Sequence, residues 1–194
     1  MGQQLRIPYE APQGRRVNAI GAYFTHGPSA GEFHFRSYAT LPKSRAKKRR
    51  VSVEEQAAQH GVAPEAVGPI ESERFLAFVW QVAGRPAEAG SGWERERPLV
   101  IVLDNYSVHV SDRVRQEQPA LVRAGVILWY LPAYAPELSA IEPIWQSVKH
   151  HEIPKRSFEQ LGELKQTVDA ALHAKATALR ARHPEAAQSL QRAA

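Results

Sequence analysis

Apolar residues recur along this chain at two spacings, and each spacing predicts a type of element. Residues 17–25 and 32–38 are rich in β-branched and aromatic side chains, with Gly, Pro and Ser between His26 and Gly31, and predict an antiparallel hairpin. Residues 42–71 place Gly61, Pro64, Gly68 and Pro69 among polar positions, which is too broken for a core element and predicts an insertion. From Ser72, a competent N-cap, the positions Phe75, Leu76, Val79 and Trp80 form a helical stripe ending near Gly84. A Gly-, Glu- and Arg-rich loop then runs to about Arg97.

The run Pro98 to Leu103 is unbroken and aliphatic, which predicts a strand buried on both faces, and it stops abruptly at Asp104-Asn105. Ser111 to Ala124 reads as a helix, Val126 to Leu131 as a second buried strand, and Pro132 to Leu138 as a proline-punctuated loop. Ser139 opens another helix. A last helix spans Ser157 to about Arg182, with Leu161, Leu164, Val168, Ala171 and Leu172 on one stripe and the capping-box pattern Ser157-x-x-Gln160 at its start. This order predicts an α/β fold with a mixed sheet covered by helices. Ligands in such sheets gather at the carboxyl ends of the parallel strands, where Asp104 falls.

Composition narrows the chemistry. The 194 residues suit one core, and the absence of cysteine excludes thiolate metal sites, so a metal must be held by oxygen or imidazole. No stretch approaches the roughly 18 apolar residues of a membrane span, and Met1 to Glu10 hold no apolar signal core, so a soluble, cytoplasmic protein is expected. A net charge of +5 favours a polyanionic partner. Lys43, Arg45, Lys47, Lys48, Arg49 and Arg50 crowd six basic residues into positions 43–50, either a solvated loop or a contact for a phosphate backbone.

Phosphodiester cutting needs divalent ions, two of them about 4 Å apart in the common arrangement, held by carboxylates. Asp104 at a strand end and Glu142 on a neighbouring helix are the candidates. Each has a plain structural reading as well. Asp-Asn after a strand is a turn signal, and Ser139-Ala140-Ile141-Glu142 is a capping box. On the helix, Ile141, Ile144, Trp145 and Val148 form the apolar stripe, while Glu142, Gln146 and Lys149 share an adjacent edge. Lys149 is then either a phosphate contact or a solvated lysine.

Two stretches, Val102-Leu103-Asp104-Asn105-Tyr106-Ser107-Val108-His109 and Leu131 to Lys149 with its Pro-Glu-Leu-Ser-Ala-Ile-Glu-Pro centre, closely resemble the second and third motifs of DDE transposases. The branch is the bacterial insertion-sequence group related to mariner elements. The separation of Asp104 and Glu142, 142 − 104 = 38, agrees with that family's habit. The resemblance implies a ribonuclease H-like fold and a two-ion Mg²⁺ (or Mn²⁺) site, expected only in an intact form, with Asp104 and Glu142 as second and third ligands. It also implies DNA, both element ends and target, as the partner. It aligns His109 with a family histidine that positions DNA or the carboxylate, a helix-entrance cap being the alternative, and Lys149 with a family helix lysine. Ser139 stands where the family commonly has Asn. Tyr134 and Trp145 lie in the same neighbourhood, Trp145 reading as core.

In that family the first carboxylate lies on the opening strand, upstream of a Gly-rich stretch matched here by Gly2-Gln3-Gln4, and Glu10 sits in a turn where it cannot replace it. The expectation is therefore a truncated catalytic domain over 1–158, first strand missing, with a basic insertion at about 42–71 and a C-terminal helical extension over 159–194. Such a chain is inactive alone. It is a piece of a transposase, a DNA-binding remnant, or a subunit completed by a separate N-terminal polypeptide; it is also a candidate homo-oligomer.

Overall fold

The structure is a computed structural model that describes residues 15–42, 51–133, 135–154, 156 and 158–184. Two strands, β1 (Arg16–Tyr23) and β2 (Phe33–Thr40), pair antiparallel in the register Arg16↔Thr40 to Tyr23↔Phe33, as the hairpin pattern predicts. Two more, β3 (Leu99–Leu103) and β4 (Val126–Tyr130), pair in parallel from Leu99↔Val126 to Leu103↔Tyr130. The helices are α1 (Val53–Gln59), α2 (Ser72–Val82), α3 (Asp112–Arg123), α4 (Glu142–Ser147) and α5 (Leu161–Ala181). The α/β class is as the sequence predicts. The single mixed sheet is not: the described strands form two separate two-stranded sheets, so β1 and β3 each keep one edge unpaired among the described residues.

Three clusters hold these elements together. Phe75, Leu76 and Val79 of α2 pack with Val114 and Leu121 of α3 and with Val126 of β4. Each such side chain removed from water contributes about 1.5–3 kcal/mol. Helix α3 begins at the Ser111 cap, whose Oγ accepts from the Val114 amide, and ends before Gly125. There a φ of 76° turns the chain into β4, a conformation that glycine adopts without strain. The second cluster joins Phe33 of β2 to Ile144 of α4, to Val148, and to Ala171, Leu172 and Leu179 of α5. Residues 161–181 are thus packed into the molecule against β2.

The reading of 42–71 as too broken for a core element is corrected in its second half. Residues 53–59 form a capped helix, Ser52 Oγ accepting from the Glu55 amide, and Ala57, Val62 and Val67 are buried with Ala39 and Leu161. Of these only Ala57 lies on that helix, which is too short for periodicity to register. The basic residues Lys43 to Arg50 lie outside the described residues, as do Tyr134 and Ser157.

Other expectations shift by small amounts. Ser72 is the first residue of α2 rather than its cap; Glu71 takes that place, and Ser72 Oγ instead meets Ser111 Oγ at 2.8 Å, tying α2 to the start of α3. Helix α5 begins at Leu161, with Gln160 as its N-cap. Most consequential, β3 and β4 are not buried on both faces. Their burial alternates, with Val100 and Val102 about half exposed and Ile127 and Trp129 open beside them, because α2 and α3 cover only one side.

Candidate active site

Asp104 begins where the β3 ladder ends. The Leu131 amide donates to the Leu103 carbonyl at 2.8 Å, and the Asn105 side chain donates to the Leu131 carbonyl at 2.7 Å, fixing the turn against β4. Inside that turn the Tyr106 amide donates to Asp104 Oδ1 at 3.1 Å, the Asx turn that an Asp-Asn pair favours. His109 Nδ1 lies 2.8 Å from the same oxygen and 3.3 Å from the Asp104 carbonyl. Both neighbours are acceptors, so Nδ1 carries the proton and donates.

The imidazole is itself held in place. Its ring centre lies 4.6 Å from that of Phe75 and 5.8 Å from that of Tyr106, and its backbone carbonyl accepts the Tyr130 hydroxyl at 2.9 Å. The side chain is only 20% exposed, whereas that of Asp104 is 63% exposed. Two donors thus occupy Oδ1 and orient the carboxylate, while Oδ2 has no hydrogen-bond partner among the described residues.

Glu142 arrives from the other side. It is the first residue of α4 and half-buried, and its amide donates to the Ser139 carbonyl at 3.2 Å. The capping box that the sequence allows is not formed: Ile141 is the N-cap and no side chain caps the helix. The Glu142 carboxylate is therefore not used to start the helix, and at a helix N-terminus its charge is favoured by the dipole.

Both carboxylates line one cleft of about 640 Å³. One wall is the unpaired side of β1, residues 16–22; the other is β3 from Ile101 to Leu103, with Asp104 just past it; Phe75, Phe78, Val79 and Val82 of α2 form its apolar floor. Ile141 and Trp145 of α4 close it beside Glu142. Trp145 also meets the ring of Phe33 edge-on at 5.5 Å, so it serves the second core cluster and the cleft at once. Gly21 allows this: a Cβ there would stand 2.8 Å from both rings.

The straight edge of Glu142, Gln146 and Lys149 is interrupted. After Ser147 the helix widens into a π turn, Val148–Glu152, and Lys149 is exposed on it, not among the residues that line the cleft. Lys175 of α5 anchors the turn, its Nζ lying 2.7 Å from both Glu152 Oε1 and Ser147 Oγ. Sequence reasoning missed the Tyr106 amide and the Phe75 ring as supports of the site; the turn signal at Asp104 could have found the first, but nothing in the sequence places Phe75 under His109.

Only oxygen ligands are offered by the two carboxylates, a set that suits Mg²⁺ or Mn²⁺. No group of three His, Asp or Glu side chains among the described residues is arranged to hold a metal. Asp104 and Glu142 are the residues that could hold such a cation, with water and phosphate as its remaining ligands, in the way Mg²⁺ usually binds. No helix among the described residues is long and apolar enough to cross a membrane. In comparisons with known proteins, no curated protein matches the chain. The family described as DDE superfamily endonuclease matches residues 32–165, more than two thirds of the sequence. The chain therefore belongs to the DDE superfamily endonucleases, and the matched span contains both Asp104 and Glu142.

Proposed function

We propose that Asp104 and Glu142 are two of the carboxylates of a metal-dependent site that cuts DNA and transfers its strands in the transposition of a mariner-like insertion sequence, in the bacterial cytoplasm. The observation that carries this reading is that both carboxylates, free of structural duty at Asp104 Oδ2 and at Glu142, line the same cleft. A bound Mg²⁺ or Mn²⁺ would activate water and neutralise charge on the phosphate under attack. His109 holds the Asp104 carboxylate through Oδ1 so that Oδ2 stays available, a positioning role. Glu142 meets the same phosphate region from α4. Lys149 and the basic residues between Lys43 and Arg50, the latter outside the described residues, contact the DNA backbone.

The third carboxylate of this site belongs to a strand seated between β1 and β3. The two free sheet edges face one cleft with an apolar floor, and a strand there would join the two pairs into one ribonuclease H-like sheet in the order β2, β1, added strand, β3, β4. The test is Mg²⁺-dependent nicking of supercoiled plasmid by the full-length protein. Nicking should appear there and fall by about 10³-fold or more, as loss of a principal catalytic group does, in Asp104→Asn and Glu142→Gln. DNA binding in a shift assay should stay within about twofold, since phosphate contacts carry that affinity. Cleavage retained in either variant would refute the assignment.

A further inference from the structure

The buried stripe of α5 contains a lysine. Ala171, Leu172 and Leu179 are buried in the second cluster, and Lys175 shares their face, three residues after Leu172 and four before Leu179. Its side chain is only 12% accessible. The ammonium grips two ends of one segment. Its Nζ lies 2.7 Å from Oγ of Ser147, the last residue of α4, and 2.7 Å from Oε1 of Glu152, the last residue of the π turn. Ser147 Oγ donates to that same glutamate oxygen at 3.3 Å. Between the two grips the helix holds one residue more than an α turn does: the Ile153 amide donates to the Val148 carbonyl, five residues back, at 3.1 Å, where an α-helix bonds four back.

We infer that Lys175 is a positioning residue for Glu142: it locks the widened turn, and with it the register at which α4 meets the cleft. The inference rests on the reading of Asp104 and Glu142 as a cation site, and it adds the group that keeps the second carboxylate in place beside the first. Without the ammonium, Glu152 loses its ion-pair partner and the turn is free to close to ordinary α geometry. Closing expels one residue, a shift of about 1.5 Å and 100° for the side that gives way. That side is α4. The chain beyond the turn leads into Phe158 and Leu161, both buried, whereas α4 is six residues long, has no side-chain cap and buries only Ile144. Glu142, at the far end of α4, moves with it. A buried ion pair adds little stability over apolar side chains of the same volume, and fixing a register is the best-attested use of one.

Two readouts on the full chain test this, one without metal. Trp145 of α4 stands so near Gly21 of β1 that a Cβ there would lie 2.8 Å from its ring, so a nuclear Overhauser contact between the Gly21 α-protons and the Trp145 ring reports the seat of α4. Lys175→Met should abolish that contact in metal-free protein and weaken Mn²⁺ binding, followed by electron paramagnetic resonance, about tenfold, within the range for groups that support a metal ligand. The double variant Lys175→Met, Glu152→Met replaces the pair by apolar side chains, so its urea midpoint should match or exceed that of the native chain. Its Gly21–Trp145 contact and Mn²⁺ affinity should nevertheless stay lost, whereas a merely structural pair would give both back with the stability. The double variant decides alone if the single one does not fold. A native Gly21–Trp145 contact in either variant would overturn the inference, as would native Mn²⁺ affinity in the double variant. Mn²⁺ binding that is indifferent to Asp104→Asn and Glu142→Gln would instead sink the cation-site reading, and the metal-free contact would still decide whether Lys175 sets the register of α4.

Discussion

At the scale of single residues, the site depends on how one oxygen of Asp104 is occupied. The Tyr106 amide and His109 Nδ1 both donate to Oδ1, and the imidazole is fixed by the ring of Phe75 beneath it. His109→Ala removes the donor that orients the carboxylate without touching the carboxylate itself. Supporting groups of this kind are typically worth 10–100-fold in metal affinity or activity. The expected outcome is a drop of about that size, with the Mg²⁺ concentration for half-maximal nicking raised; an unchanged Mg²⁺ dependence would show that His109 acts elsewhere. Asp104 was legible in the sequence as an acidic residue at a strand end. Whether Glu142 was merely closing a capping box was not, because the competing N-cap at Ile141 follows from how α4 packs, not from any local pattern.

At the scale of elements, two contacts tie α5 to the hairpin and to α1. Ser37 of β2 donates to Asp169, and Lys165 bridges the pair, its Nζ 2.9 Å from Ser37 Oγ and 2.7 Å from Asp169 Oδ2. Further toward the helix start, Gly162 approaches the end of α1 so closely that a Cβ would stand 2.5 Å from the Gly61 carbonyl oxygen. Gly162→Ala must push backbone against backbone and should destabilise the protein by about 1–3 kcal/mol in urea unfolding; a neutral result would mean that α5 starts differently. Leu172, 1% exposed in the second cluster, should cost about 2–5 kcal/mol as Leu172→Ala by the same measurement.

Helix α1 carries a pH dependence of its own. The exposed Glu54 carboxyl is held below its ordinary value by a hydrogen bond to its own backbone amide and by Ser52. A depressed folded value gives α1 support that is complete above the unfolded carboxylate value and lost as pH falls through the folded one. Amide signals of residues 53–59 should therefore show fraying only below the ordinary carboxylate range; fraying that begins near neutrality would contradict the assignment. The sequence could not reveal α1 as a packed element. Seven residues hold less than two turns of pattern, and the partners that bury Ala57 and Val62, Ala39 and Leu161, lie far away along the chain.

At the scale of the whole molecule, the four strands among the described residues form two pairs separated by a cleft, and a two-stranded sheet is marginal by itself. The apolar run of β3 led the sequence reading to expect burial on both sides because Val100 and Val102 are chemically suited to it. The alternation that leaves them open depends on which helices cover the sheet, and no local pattern encodes that. The α/β class and the locations of the four strands were readable from periodicity and residue type. The division into two sheets was not, since register along one pair says nothing about the neighbour on its other edge.

The central proposal is that Asp104 and Glu142, which line one cleft, together hold a divalent cation. It is tested most directly by Mn²⁺ titration of the chain followed by electron paramagnetic resonance. The account predicts binding that is lost in both Asp104→Asn and Glu142→Gln and preserved in Lys149→Ala. Undiminished Mn²⁺ binding in either carboxylate variant would contradict it.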